Sequence, residues 1–335
     1  MSETKVLLDY GSGGRASQRL VSELFVRNFD NPELNRLNDA ARIELSGPLA
    51  MSTDSFTVDP IFFPGGDIGS LSVHGTVNDV AMLGAEPKYL TCGFIIEEGL
   101  PMADLERIVV SMAAAARHAG VEIVTGDTKV VPKGAVDKIF INTTGIGSII
   151  ADPAPSADRA RPGDALLISG TLGDHGLTVL SQREGLEFEV PVKSDSAALN
   201  HLLLKLVRAI PDIHVLRDPT RGGLATTINE ITEKSGCGCL IEEALLPITD
   251  PVRSGCSFLG LDPLYLANEG KFLCILPEEY AQQALDIMHA DELGHDACRI
   301  GGMTEDNPGK TVLQTPLGGK RLMNMLEGEQ LPRIC

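Results

Sequence analysis

Four acidic positions stand in settings where a carboxylate could do chemistry. Asp54 lies in Ser52-Thr53-Asp54-Ser55, Asn78-Asp79 falls inside a helical run, Asp127 opens Asp127-Thr128-Lys129, and Asp218 begins Asp218-Pro219-Thr220-Arg221-Gly222-Gly223. Taken singly, each has an ordinary explanation: Asp127 as a turn former, Asp79 as a solvated helix residue, Asp218 as an N-cap. Taken together they point to hard-oxygen binding of Mg²⁺ bridged to a phosphorylated substrate. Asp54 sits in a segment otherwise apolar enough to be a buried strand, where an unpaired carboxylate is costly and needs a cation. Asn78-Asp79 interrupts the apolar stripe Val73, Val77, Val80, Ala81, which turns the pair toward the body of its domain. Lys129, two residues beyond Asp127, offers a phosphate counter-charge beside a metal ligand.

Asp9-Tyr10-Gly11-Ser12-Gly13-Gly14 precedes a helix starting near Arg15, and glycines before a helix N-terminus let backbone N–H groups close around phosphate. The run is neither a Walker loop nor a dinucleotide fingerprint, and a plain flexible leader would read the same. At the other end the chain finishes Leu331-Pro332-Arg333-Ile334-Cys335. A terminal sulfur can be swung into a site and out again, as a covalent carrier requires, although a cysteine on a frayed end is also commonly inert. From Leu326, an extended tail spans on the order of 30 Å at ~3.3 Å per residue. Arg333 is expected to offset the nearby α-carboxylate and so ease thiolate formation.

The elements that must position these residues follow from periodicity. Helices are expected over Arg15–Phe29, Gly69–Leu83 and Pro101–Ala119, and strands over Leu49–Val58, Lys88–Ile96, Val121–Thr125 and Lys138–Ile149, with Gly126–Lys129 as a loop. The proline-rich stretch Asp152–Asp158 divides the chain. Beyond it, strands are expected at Ala165–Ser169, Leu264–Ala267 and Lys271–Leu276 and two more within Cys298–Leu317, with helices at Asp174–Gln182, Asp195–Ala209, Gly223–Ser235 and Pro277–His289. The expected organisation is α/β (α+β) in two domains, 1–152 and 159–325, followed by a mobile tail over 326–335.

Composition excludes several classes. A net charge of −18 without a basic patch argues against nucleic acid, and no apolar run reaches the length of a membrane span. Seven scattered cysteines in 335 residues are not a disulfide framework, and the N-terminus is not a signal peptide. A cytoplasmic protein with reduced thiols is expected.

The runs Ser52–Pro60, Val73–Ala85 and Val124–Val130 resemble the ATP-binding superfamily of aminoimidazole ribonucleotide synthetase and selenophosphate synthetase. With Asp218–Gly223, Ala267-Asn268-Glu269-Gly270 and the terminal Pro332-Arg333-Ile334-Cys335, the chain is similar to the HypE family of hydrogenase-maturation carbamoyl dehydratases. The resemblance implies a PurM-like fold, an N-terminal domain that pairs with a second subunit in a dimeric β-barrel, and a C-terminal α+β domain over the nucleotide. It implies ATP and Mg²⁺ as cofactors, with Asp54, Asp79, Asp127 and Asp218 at metal, Gly11, Ser12, Gly13, Gly14, Asn78, Gly126 and Lys129 at the nucleotide, and Glu269 as a base. It also implies a carbamoyl group placed on Cys335 by HypF, its dehydration to a thiocyanate, and transfer of cyanide to iron on a HypC–HypD scaffold. Two other readings fit the same acidic motifs: a kinase or synthetase acting on a soluble small molecule, and a non-enzymatic assembly chaperone.

Overall fold

The computed structural model describes residues 4–186, 190–328 and 331–335; residues 329 and 330 of the expected tail lie outside this set. A four-stranded sheet is formed by β1 (Leu49–Phe56), β2 (Ala85–Glu97), β3 (Glu122–Val131) and β4 (Ile139–Ile149) in the order β1-β4-β2-β3. β4 runs antiparallel to both neighbours, while β2 and β3 are parallel. Side chains alternate along these strands, so each presents one row to the core and one to the opposite face. Leu90, Cys92, Phe94 and Ile96 of β2 are buried under α1 (Ile68–Met82) and α2 (Met102–Ala119). On the other face Met51 and Ile95 remain exposed, at 69% and 43%. No element described in this chain covers that face.

Helix α1 is apolar almost all round, as a helix between a sheet and a second domain must be. Asp67 starts it: its carboxylate accepts from the Gly69 and Ser70 N–H groups, and the Ser70 hydroxyl accepts from the Asp67 N–H in return. Helix α2 ends at Gly120, whose φ of 71° is the left-handed stop that its sequence position suggested.

The second sheet has seven strands: β5 (Asp164–Ile168), β6 (Val215–Arg217), β7 (Gly238–Glu242), β8 (Leu273–Pro277), β9 (Cys298–Thr304), β10 (Thr311–Gln314) and β11 (Lys320–Met323). Their order is β11-β10-β7-β9-β5-β8-β6. Helices α3 (Asp174–Glu184), α4 (Asn200–Ala209), α5 (Gly223–Ser235), α6 (Asp250–Leu259) and α7 (Ala281–His289) accompany it. One face packs Leu166, Ile168, Ile228 and Ile231, the other Leu167, Leu202, Leu206 and Phe272. The latter cluster includes Ala81 and Met82 of α1, so the two sheets share a packed boundary.

Three local expectations are corrected. Gly126–Lys129 is not a loop but the middle of β3, because Gly126 lets its backbone lie against the Cys92 carbonyl, where a Cβ would come within 2.3 Å. Leu264–Ala267 is not a strand: Pro263–Tyr265 is a 3-10 turn capped by the Asp262 side chain on the Leu264 N–H. The helix expected from Asp195 begins at Asn200, since residues 191–199 run as irregular backbone across the domain boundary.

Candidate active site

A cleft of about 450 Å³ lies where the two sheets meet, and Asp54, Asp79, Asp218, Glu269 and Cys335 all line it. Each comes from a different element. Asp54 projects from β1 on the helix side, opposite Thr143 of β4, whose hydroxyl lies 2.6 Å from that of Thr76 in α1. Asp79 is held one turn along α1 by the Ser52 hydroxyl at 2.7 Å. Asp218 and Arg221 stand on the turn between β6 and α5, which closes through Gly222 and Gly223 at φ values of 76° and 60°. Glu269 follows Asn268, whose side chain accepts from the Gly173 N–H and donates to the Pro219 and Leu266 carbonyls. These bonds tie the Glu269 loop to the Asp218 loop.

Electrostatics single out this cluster. Burial, and then the charge of Asp79, raise the pKa of Asp54, while Arg221 opposes them. Asp79 is raised by burial against the Ser52 hydrogen bond and the charges of Arg217 and Arg221. Asp218 is pushed up to about 7 by burial and the neighbouring Asp79. Glu269 is raised well above the usual carboxylate range by burial, then by Asp218, Asp195, Asp54 and Asp79. Its Oε1 is buried without a hydrogen-bond partner, an arrangement that costs stability unless a ligand supplies a donor.

The terminal cysteine is docked in the cleft. Its carbonyl accepts from the Thr57 N–H at 2.9 Å, and its thiol is pushed up to about 12 by burial, Glu269 acting next and Arg221 opposing. Arg333 does not serve the thiolate as expected: its guanidinium pairs with Asp137 at 2.6 Å and donates to the Thr57 carbonyl. Arg221 is the cation that acts on the sulfur. It lines the cleft with no hydrogen-bond or ion-pair partner among the described residues, whereas Arg217 is paired with Glu230 at 2.7 Å.

The other residues singled out in the sequence lie elsewhere. Asp127 and Lys129 pair with each other at 2.8 Å, exposed on β3. With Gly11, Gly13 and Gly126 they line a separate cavity of about 250 Å³ between β3 and the N-terminal helical segment, whose apolar wall includes Phe25, Phe29 and Phe94. Ser12 is exposed and donates to the Asp9 carbonyl, and Gly14 caps the helix Arg15–Leu20. β3 is separated from β1 by two strands, which at ~4.8 Å per strand puts it about 14 Å away. Asp127 is in register with Gly93 on the uncovered face, whereas Asp54 points to the helix side. Asn78 is buried with its amide spent on backbone: it donates to the Ala197 carbonyl at 3.0 Å and accepts from the Leu199 N–H at 2.8 Å, so it fixes the approach of α4 to α1.

Arg221 stood unassigned in the Asp218 motif, and nothing in the sequence marked Ser52 or Asp195 for the site. Asp195 accepts from the Glu269 N–H at 3.1 Å. These residues act through position, and their one signal is proximity that only the fold creates.

The donor set of the cleft, acids whose pKa values are raised by burial and by one another's charge, fits a divalent cation bound through oxygen. Among the described residues no three His, Cys, Asp or Glu side chains converge closely enough to hold a metal by themselves. Such a site needs ligand oxygens to complete it, which is the usual situation for Mg²⁺ with a nucleotide.

The family models of AIR synthase related proteins match this chain in both halves, the N-terminal domain over residues 37–149 and the C-terminal domain over 161–314. The fold is therefore PurM-like. Relatives narrow this further: the carbamoyl dehydratase HypE of Azotobacter vinelandii is 55% identical over 97% of this chain and 96% of its own, and that of Escherichia coli is 49% identical over 98% and 99%. A crystal structure of hydrogenase maturation protein HypE in complex with ATP superposes with a TM-score of 0.96 at 67% identity, covering 98% of this chain and 99% of that one. A HypE–HypF complex aligns with a TM-score of 0.81 at 51% identity, over 92% and 99%. The chain belongs to the HypE family of carbamoyl dehydratases.

Proposed function

We propose that this protein dehydrates a carbamoyl group carried on its own Cys335, at the expense of ATP, and so makes a protein-bound thiocyanate that supplies cyanide for the iron centre of [NiFe]-hydrogenase during maturation. One observation carries the reading: the terminal sulfur lies in the same cleft as Asp54, Asp79 and Asp218 and a buried glutamate whose Oε1 has no hydrogen-bond partner. The S-carbamoyl group presents an NH₂ donor, which is what the Glu269 Oε1 is missing.

The chemistry balances as follows. The terminal phosphoryl group of ATP passes to the carbamoyl oxygen, making a leaving group of an oxygen that does not depart by itself. The C–O bond then breaks with loss of phosphate while both nitrogen protons are removed, leaving S–C≡N. Mg²⁺ held by Asp54, Asp79 and Asp218 together with phosphate oxygens would supply charge neutralisation at the transferring group. Arg221 adds a fixed positive charge on the sulfur side of the cleft, where charge develops on the departing oxygen. Glu269, once its acidic neighbours are balanced by cation, is the group within reach of the carbamoyl nitrogen to accept its protons.

The docked site disfavours a thiolate, since burial and Glu269 both raise the thiol, but accepts a neutral S-carbamoyl group. Loading therefore belongs to an undocked tail, in keeping with a separate carbamoyltransferase, HypF, and cyanide delivery to HypC and HypD takes place with the tail out again. Asp127 and Lys129 stand on the uncovered sheet face. In a homodimer that closes that face, they, together with Gly11–Gly14, are available to nucleotide phosphates from the far side. Among the described residues no helix is long and apolar enough to cross a membrane.

Intact mass of the terminal peptide tests the reading. Carbamoylated Cys335 should lose one water when ATP and Mg²⁺ are both added, and Glu269→Gln, which keeps the shape but cannot take a proton, should bind ATP yet retain the carbamoyl adduct. Full dehydration by Glu269→Gln would remove Glu269 from its role, and an adduct that persists in the unmodified protein would contradict the dehydratase itself.

A further inference from the structure

The hydrogen bonds that hold residues 332–335 come from outside the tail. The Thr57 and Asp59 N–H groups, two residues apart just beyond β1, donate to the Cys335 and Arg333 carbonyls at 2.9 and 3.2 Å. The tail is turned at Pro332-Arg333, with Arg333 at a φ of 52°, so these two bonds hold a bent peptide against the chain just beyond β1. Arg183 at the end of α3 donates to the Pro332 and Arg333 carbonyls at 2.7 and 2.8 Å, and through Nε to the Asp59 carbonyl at 2.8 Å. His175, fully buried at the start of α3, meets the Ile334 carbonyl through Nε2 at 2.8 Å and the Ser194 hydroxyl through Nδ1 at 2.8 Å. Burial keeps the ring neutral, so Nε2 carries the proton and Nδ1 accepts from Ser194.

Side chains supply the sequence reading. Arg333 pairs with Asp137, and Ile334 is 5% exposed within the N-terminal core. Among the described residues before the tail, the Leu326 N–H reaches the Thr226 hydroxyl at 3.4 Å, and Gly328 has a φ of 84°.

We propose that Thr57, Asp59, Asp137, His175 and Arg183 form a peptide receptor for a Leu-Pro-Arg-Ile-Cys terminus turned at Pro332-Arg333, which binds that segment in trans, from a second copy or as a free peptide, as it binds the chain's own tail. The proposal rests on the reading of Cys335 as a substrate-bearing arm, but it concerns recognition and needs neither ATP nor a carbamoyl group. A tethered tail has an effective concentration in the millimolar range, so the chain's own terminus masks the receptor until it is displaced. The receptor draws on both domains: Arg183 joins α3 to the chain just beyond β1 and to the tail at once.

The test uses the full chain with its own tail displaced by Arg333→Glu and Ile334→Asp, which sets a like charge against Asp137 and places a charge in an apolar site. A reduced, fluorescein-labelled Leu-Pro-Arg-Ile-Cys peptide should bind this variant saturably by fluorescence anisotropy. The same peptide should bind the unmodified chain, and the displaced variant carrying Arg183→Ala, at least about tenfold more weakly, as expected for loss of charge-assisted hydrogen bonds. Absence of saturable binding up to about 1 mM, a weak limit for a specific peptide, or equal binding to displaced and unmodified chains, would overturn the proposal. In the otherwise unmodified protein, Arg183→Ala should speed iodoacetamide alkylation of Cys335 by about tenfold or more, because an undocked thiol regains its ordinary thiolate fraction. An unchanged rate, read by mass spectrometry of the terminal peptide, would also overturn it.

Discussion

At the scale of single residues, the site is a set of buried acids that raise one another's pKa values, with Arg221 opposing at Asp54 and Asp79. Asp218 shows the cost most directly: its folded pKa of about 7 lies above the ordinary carboxylate value, so the folded state binds more protons than the unfolded one between those two limits. Stability is then greatest in mild acid and falls as pH rises toward 7. Asp218→Asn should remove that decline and raise the thermal midpoint of the ligand-free protein by a few degrees at pH 8 while leaving it little changed at pH 5; a lower midpoint at pH 8 would show that Asp218 is not held under strain. The acids of the cleft were legible in the sequence because they stood in polar motifs, Asp54 and Asp79 within otherwise apolar elements, and Cys335 because the run Pro332-Arg333-Ile334-Cys335 carries the family resemblance. Arg183, Asp195 and Ser52 were not, since an arginine at a helix end or a serine on a strand carries no mark of the backbone it will meet. Asn78 was legible as a residue of interest, but its amide is committed to the Ala197 and Leu199 backbone.

At the scale of elements, two loops hold the chemistry, and both depend on close backbone approach. Gly270 lies against Asp195, whose carbonyl would be 1.7 Å from an added Cβ. Gly270→Ala must push the Glu269 loop away from the residues 195–197 that support it, and the expected outcome is loss of dehydration by more than tenfold with ATP binding retained, measured by tail mass and by calorimetry; near-normal turnover would show that the loop is not what positions Glu269. Helices were read closely from apolar spacing and glycine stops, as at Gly120. Strand and loop were confused where a glycine served packing: Gly126 reads as a turn residue, yet it permits β3 to lie beside β2 in parallel register. The edge strand β11 was missed, because Lys320–Met323 is short and mostly exposed and offers no alternation.

At the scale of the whole molecule, the four-stranded sheet is covered by described elements of this chain on one face only. Its core face is closed by α1 and α2, but the opposite face leaves Met51 and Ile95 open beside Asp127 and Lys129. Single apolar residues on a surface need no explanation, but a whole sheet face with no described element of its own chain above it does. Pairing with a second copy would close it, and Ile95→Asp should then yield monomers by light scattering with weakened ATP binding; an unchanged dimer would place the interface elsewhere. That pairing is an expectation of the family resemblance alone, since no pattern in one strand says whether its outer face meets solvent or a neighbour.

The central claim is that ATP activates the carbamoyl oxygen on Cys335 so that it leaves as phosphate. Carbamoylating Cys335 with ¹⁸O in the carbamoyl group, adding ATP and Mg²⁺, and analysing the released inorganic phosphate by mass spectrometry follows that oxygen directly. The account predicts one ¹⁸O in each phosphate released with thiocyanate formation. Label appearing in water, with unlabelled phosphate, would contradict it.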